Sequence, residues 1–411
     1  MFFFPLYKNL QVQKDLFLKQ LDKSLNEHSA RNYLKIVKNV SNKEPSEKDF
    51  LELKTNIYET AKNMPSWGKE LPLRWIHLEI ALDRERDAGS NILPFHLVCQ
   101  LAKSISLFTT SENNKEIILF LKYQHECGHV IFFKDLSDYV ILNPRWLIDA
   151  FKHLVSDRLK DNLAPSQDRS DLKKKGKLTD KLISEIFENV AELEFLKYKK
   201  HLLPILEKFD IIVKPKNEDL KSYYMPCMMK SLQFDEIYKN YNVQICHRTS
   251  WLLLEFRFLP PAFFYHILVH YIKELEVCSY EGELSLYRGI GVFDIEKQGC
   301  KKLVICADKN IIAFQVWIYE DNLDSQFHYI PQTLTKMVDM LSKRYQICCK
   351  YKIKMKCSKS DYRKAVKSYE YKDIQGSMTC FCYEHSLPQA CVDVYKYWFS
   401  NEVVVSYTCN Y

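Results

Sequence analysis

Glycine is scarce in this chain: there are 9 among 411 residues, and the first is Gly68. That scarcity excludes chemistry built on glycine-rich loops. No G-x-x-x-x-G-K-[ST] occurs, so no run of backbone N–H groups can cradle phosphates and no lysine is placed to reach them. The guanine-reading Asn/Thr-Lys-x-Asp is missing too; Val12-Gln13-Lys14-Asp15 is a poor imitation. Neither a glycine-rich nucleotide loop nor an H-R-D or D-F-G run marks a kinase. No stretch approaches about 18 uninterrupted apolar residues, so no membrane-spanning helix is expected. The first residues, MFFFPLYKNL, lack a basic n-region, and their apolar run is too short for a signal peptide. Without an export signal the 14 cysteines read as free thiols in a reducing, cytoplasmic setting, and adjacent Cys348 and Cys349 need not pair.

What is present suits packed interiors. Hydrophobic residues make up 47% and aromatics 14%, and with only 14 prolines beside the few glycines a disordered or fibrous chain is excluded. The length suggests about two or three domains. A net charge of +7 favours solubility and is no nucleic-acid signature.

The stretch around which the rest is organised runs from Ile117 to Phe151. Ile117, Phe120 and Leu121 share one helical face. Gly128 can end that helix, because glycine tolerates the left-handed conformation of a C-terminal cap. Val130 to Phe133 has strand length and composition, Lys134 to Asp138 is turn-like, and Tyr139 to Leu142 reads as a second strand. Asn143-Pro144 then starts a helix, asparagine as cap and proline in the first turn, with Leu147, Ala150, Phe151 and Leu154 as its buried stripe. Helix, hairpin, helix is a winged-helix plan.

LKYQHECGHVIFF followed by DYVILNPRWLIDAF resembles the COR domain (C-terminal of Roc) of Roco proteins, and PSWGKELPLRWIHLEIAL at Pro65 to Leu82 is similar to the start of the same domain. The resemblance is strongest from residue 45 to 275 and weak after 360. It implies an α+β chain in three parts. Residues 1–64 would be the last strand and helix of a Roc GTPase domain, 65–228 a helical, winged-helix-like first COR half, and 229–411 an α+β second half with an antiparallel-rich sheet and the dimer contact. It implies a non-catalytic scaffold that couples a Roc GTPase, in cis or trans, to dimerisation and other signalling proteins. GTP or GDP would enter only with an intact Roc domain. Two readings stay open: a GTPase-free relative, or a truncated piece of a multidomain Roco GTP-binding protein that also carries a kinase in some relatives.

The remaining elements follow from local pattern. Asp15 to Glu27 is an amphipathic helix, Tyr33 to Val40 alternates like a strand, and Glu47 to Asn63 is a helix with Phe50, Leu53, Ile57 and Ala61 inside. Trp75, Leu78 and Leu82 stripe a further helix; Phe95, Val98, Leu101, Ala102 and Ile105 stripe another, opened by Pro94. Ser156 to Lys177, with Lys173, Lys174, Lys175 and Lys177, reads as a mobile solvated loop that could touch acidic lipid or a partner. Leu182, Ile186, Phe187 and Val190 mark a helix. The stretch from Leu202 to Pro226 then echoes the organising one: helix end, Ile211 to Val213, polar turn, Tyr223 to Met225, proline. Later, Trp251 to Phe258, Glu283 to Phe293, Leu303 to Ala307, Ile311 to Tyr319 and Tyr351 to Cys357 read as strands. Ala262 to Lys273 and a Pro331-opened segment with Leu334, Met337, Val338 and Leu341 read as helices.

Four constellations carry possible chemistry. His125-Glu126-Cys127-Gly128-His129 matches H-E-x-x-H, but zinc-hydrolase chemistry needs both histidines on one unbroken helix, and Gly128 should end it first. Cys380, Cys382, His385 and Cys391, with Cys357, form a Cys/His group that lacks a clean C-x₂-C knuckle; buried free thiols compete with a zinc reading. Lys115 and Lys122 are outweighed by Glu112, Glu116 and Glu126 on the helix before the hairpin, so nucleic acid is not the expected partner. His266 and His270, one turn apart, read as packed or surface residues. Phe263, Phe264 and Tyr287, in the aromatic-rich second half, are the expected self-association residues of a homodimer.

Overall fold

The computed structural model describes residues 10–25, 29–40, 46–65, 67–105, 113–136, 138–155, 166–216, 222–321, 326–345, 347, 349–364 and 368–399. It divides into two compact units, Met1–Ile80 and Ala81–Tyr411. The class is α+β, with many helices and antiparallel sheets. No helix among the described residues is long and apolar enough to cross a membrane.

The smaller unit is helical. Helix Leu10–Leu25 precedes a short 3-10 turn at Ser29–Tyr33. The strand expected over Tyr33 to Val40 is absent: residues 34–40 have no regular structure and Tyr33 is 84% exposed. Alternation makes a strand only where a neighbour supplies the ladder, and no strand of this unit is there among the described residues. Helix Glu47–Lys62 is well specified, with the Ser46 hydroxyl accepting from the Asp49 N–H and Glu47 and Asp49 in its first turn. None of its residues is buried: of the expected inner face, Leu53 and Ala61 are half-buried, while Phe50 and Ile57 are 38% and 60% exposed.

In the larger unit, the expected echo is a repeated plan in shared register. In the first copy, strand Ile92–Pro94 leads into helices Phe95–Ser104 and Asn113–Glu126, the chain turns at Gly128 (φ 78°), and Ile131 bridges Ile141. Strand Tyr139–Ile141 then pairs with Ile92–Pro94, before helix Pro144–Val155. In the second, strand Lys177–Thr179 leads into helices Asp180–Glu188 and Lys199–Lys208, the chain turns at Asp210 (φ 56°), and Val213 bridges Tyr224. Strand Ser222–Tyr224 then pairs with Lys177–Thr179 before Pro226. Backbone bonds match as well: Leu142 N–H to Asn91 O in one copy, Met225 N–H to Gly176 O in the other. The expected hairpin is thereby corrected. Val130 to Phe133 contributes a single bridge, Lys134–Leu136 is a 3-10 turn, and the main partner of Tyr139–Ile141 is the distant strand Ile92–Pro94.

Both copies share one core that includes Ile92, Trp146, Leu147, Leu154, Leu182, Phe187, Phe195, Leu202 and Tyr223. Trp146 fastens them together: its ring is buried and its indole N–H donates to Leu193 O at 2.7 Å. The expected lysine-rich loop is another correction. Residues 156–165 lie outside the described set, but Gln167–Lys175 is a helix, capped by Ser166 and closed by Gly176 in the left-handed conformation. Leu172 anchors it in the core, and Lys173 to Lys175 occupy its last turn, where the helix dipole favours cations.

The second half is built on a nine-stranded antiparallel sheet. Leu286–Tyr287, Ile290–Asp294, Lys301–Asp308, Ile311–Ile318, Trp251–Phe256, Tyr351–Lys356 and Tyr369–Glu370 lie side by side in that order. The expected long strand Glu283 to Phe293 is three short ones, with Gly289 in the two-residue turn between Tyr287 and Ile290.

Successive residues point to opposite faces, and both faces are covered. Leu252, Leu254, Phe256, Leu303, Ile305, Ile312 and Phe314 join helices Pro261–Glu274 and Tyr329–Tyr345 in one core. Trp251, Leu253, Val304, Cys306, Ala313 and Trp317 join Phe234, Ile237 and Tyr362 in another. Two-sided burial is why Trp251 to Leu254 reads as four consecutive apolar residues with no alternation. Each large apolar side chain so buried contributes roughly 1.5–3 kcal/mol.

Candidate functional site

Helix Asn113–Glu126 stops one turn before His129, as Gly128 dictates. The two histidines of HECGH therefore sit on different pieces of backbone. His129 Nδ1 is 2.7 Å from Gln124 Oε1, and the His125 ring packs edge-on against Phe133. Phe263, Phe264 and Tyr287 are 0%, 4% and 8% exposed. Phe263 and Phe264 fill the core under helix Pro261–Glu274, and Tyr287 lies in the core on the opposite face of the sheet. Within the chain these three serve packing.

The larger unit concentrates charge where the second repeat meets the sheet-bearing half. Asp210, the left-handed residue of the second repeat, receives His266 Nδ1 at 2.6 Å and Lys273 Nζ at 3.2 Å, with Arg344 Nη1 at 3.8 Å. His266 Nε2 lies 2.6 Å from the Tyr345 hydroxyl. A carboxylate only accepts, so Nδ1 carries a proton, and in the neutral ring Nε2 accepts from Tyr345. Burial pushes the Asp210 carboxyl upward, but the His266 bond and the Lys273 charge outweigh it and hold it below the ordinary carboxylate range.

Further links cross the same boundary. Lys216 donates to Glu274 O at 2.7 Å and Arg344 to Lys208 O at 3.4 Å. Lys175 bridges Asp171 and Glu283 at 3.1 and 2.5 Å. Val213, Tyr224 and Met229 enter the core of the sheet itself. Hydrogen bonds, ion pairs and shared packing thus tie the second repeat to helices Pro261–Glu274 and Tyr329–Tyr345. Asp210 escaped sequence reasoning, although aligning the two echoes would have placed it opposite Gly128 and flagged a charge at a turn that demands positive φ.

The Cys/His group is split by the fold. Cys357 follows strand Tyr351–Lys356, while Cys382 and His385 sit at the tip of the hairpin Thr379–Cys382 with Leu387–Ala390. Their ligand atoms all lie within 4.8 Å of one another; His385 Nδ1 is 3.1 Å from Cys382 Sγ and 3.8 Å from Cys357 Sγ. Burial raises the Cys382 thiol, yet the His385 ring and the backbone N–H groups of His385 and Glu384 outweigh it and bring it below its ordinary value. Cys380 and Cys391 do not join this cluster and lie together elsewhere. They line a cavity of about 340 Å³ with Tyr369, Asp373 and Thr379. Burial and Cys391 push the Cys380 thiol up to about 11, so it stays protonated near neutrality and is a poor nucleophile.

Among the comparisons with known proteins, residues 72–229 match the family model described as C-terminal of Roc, COR-A domain. No curated protein matches the chain.

Proposed function

With residues 72–229 forming a COR domain of the Roco type, we propose that this chain is a non-catalytic coupling module that docks a Roc GTPase domain, in cis or trans, and self-associates. The family match carries the reading. The paired repeats follow the strand–helix–helix–strand order of winged helices, which serve as protein-docking modules, and the Asp210 junction gives any docked partner a mechanical route into the sheet.

Apolar surface on the smaller unit supports the Roc-facing role. Helix Glu47–Lys62 exposes Phe50, Leu51, Ile57 and Tyr58, and Leu73, Ile76 and Ile80 repeat at one-face spacing on helix Leu73–Asp87. The sequence offers no phosphate loop, so the module itself neither binds nor hydrolyses GTP. The setting is cytoplasmic signalling.

Two measurements on the purified chain test this. Titration with GTP and GDP should give no binding. Sedimentation should give a concentration-dependent dimer and a complex with a GDP-loaded Roc domain of a Roco protein, weakened by Ile76→Glu. A strict monomer that ignores the Roc domain, or submillimolar nucleotide affinity, would overturn the proposal.

A further inference from the structure

Two turns face each other at the far end of the sheet. In the first, Cys357 is followed at a two-residue gap by Ser360. In the second, Cys382 is followed at the same gap by His385, whose Nδ1 reaches back to within 3.1 Å of Cys382 Sγ. A cysteine with a second donor three residues on, across a tight turn, has the spacing of a metal-binding knuckle.

The hydroxyl of Ser360, a buried residue, lies 4.0 Å from Cys382 Sγ. Cys-x₂-Ser and Cys-x₂-His are therefore two knuckles, one of which has serine where a fourth soft ligand belongs. The spacing eluded inspection of the sequence because the first arm lies 25 residues upstream of the hairpin (357 to 382) and carries a single cysteine.

The dimensions fit zinc. With Zn–S near 2.3 Å and Zn–N near 2.0–2.1 Å, a tetrahedron separates sulfur from nitrogen by about 3.6 Å. The observed 3.1 and 3.8 Å straddle that value. Two thiolates and an imidazole are the donor set zinc prefers, and three such ligands leave a fourth corner, beside which the Ser360 hydroxyl lies.

We propose that Cys357, Cys382 and His385 bind one Zn²⁺, with Ser360 at the fourth corner, and that the ion staples the hairpin Thr379–Cys382/Leu387–Ala390 to the end of strand Tyr351–Lys356. Binding displaces the two thiol protons and forms two Zn–S bonds and one Zn–N bond. Cys380 and Cys391 lie outside the site.

The test uses the full-length chain stripped of metal, with Zn²⁺ alone as probe in competition with a chromophoric chelator, and Co²⁺ as a spectroscopic substitute. The expected result is one zinc per chain and a tetrahedral cobalt–thiolate spectrum. Cys382→Ser should lose both, and Cys380→Ser should change neither. Ser360→Cys, which completes the ligand set, should tighten binding by about tenfold or more. Zinc uptake that is absent, or equal in the native and Cys382→Ser chains, overturns the proposal. So does a Ser360→Cys chain, folded by circular dichroism, that binds no tighter than the native one.

Discussion

Replacing Asp210 with alanine tests how firmly the second repeat is tied to the sheet-bearing half. Two costs add. Removing the carboxylate strands His266 Nδ1–H, in a residue only 8% exposed, and takes the near partner from Lys273; a charge-assisted bond left unmade in such a place costs about 2 kcal/mol. Alanine must also hold φ near 56°, a conformation that costs an ordinary residue about 1 kcal/mol and aspartate less. The sum, about 3 kcal/mol, is a large fraction of a typical folding free energy.

A chain of this size need not unfold in one step, so the readout should be local. Val213 and Tyr224 exchange both backbone bonds, at 2.9 and 2.8 Å, just beyond the turn. Amide hydrogen exchange in peptides covering them should accelerate by about 100-fold in Asp210→Ala, since each 1.4 kcal/mol is about tenfold. Asp210→Asn keeps an acceptor and tolerates the left-handed turn, so it should accelerate exchange by about fivefold at most. The Asp210→Ala/His266→Ala double variant should fall short of additivity by about 1 kcal/mol or more. Unchanged protection in Asp210→Ala, or strict additivity with His266→Ala, would refute the reasoning.

The same carboxylate sets a pH limb. Its native value is depressed below the ordinary 3.8, so its contribution is complete above that value and disappears as pH falls through the lower native value. Thermal midpoints measured between pH 5 and about pH 2 should therefore fall less steeply for Asp210→Asn than for the native chain. Two glycines give a steric contrast. A Cβ at Gly128 (φ 78°) meets nothing within 4 Å, so Gly128→Ala should cost about 1 kcal/mol from backbone strain alone. At Gly176 (φ 70°) it would sit 2.7 Å from Met225 O, a backbone atom that cannot swing aside, so Gly176→Ala should cost about 3 kcal/mol. Equal melting points for these two variants would contradict the assignment.

The longer helices and the long sheet strands of the larger unit could be read from local pattern because capping and periodicity act over a few residues, whereas short strands such as Ile92–Pro94 and Lys177–Thr179 could not. Gly128 ends its helix, Pro144 opens the next, and Leu182, Ile186 and Phe187 are buried as their spacing implies. The misreadings share a cause: the deciding partner was distant. Tyr139–Ile141 looked bound to its sequence neighbour, but Ile92–Pro94 supplies the longer ladder. Tyr33 to Val40 had alternation and, among the described residues, no strand to pair with. The lysine run looked like solvated loop by charge, while one apolar residue, Leu172, and one cap, Gly176, hold it as helix. Of the five residues of the Cys/His group, strand pairing brings Cys357, Cys382 and His385 together and leaves Cys380 and Cys391 apart, a division that linear spacing does not encode.

The large sheet has a consequence for assembly. Its two broad surfaces are roofed by helices, and its outermost members among the described residues, Leu286–Tyr287 and Glu276–Val277 along one side and Tyr369–Glu370 on the other, are two residues each. Stubs of that length offer too few free N–H and C=O groups to template another chain's backbone. A second copy joining through this half is therefore left with helix exteriors and loops, where contacts are made by side chains and can be tuned one residue at a time.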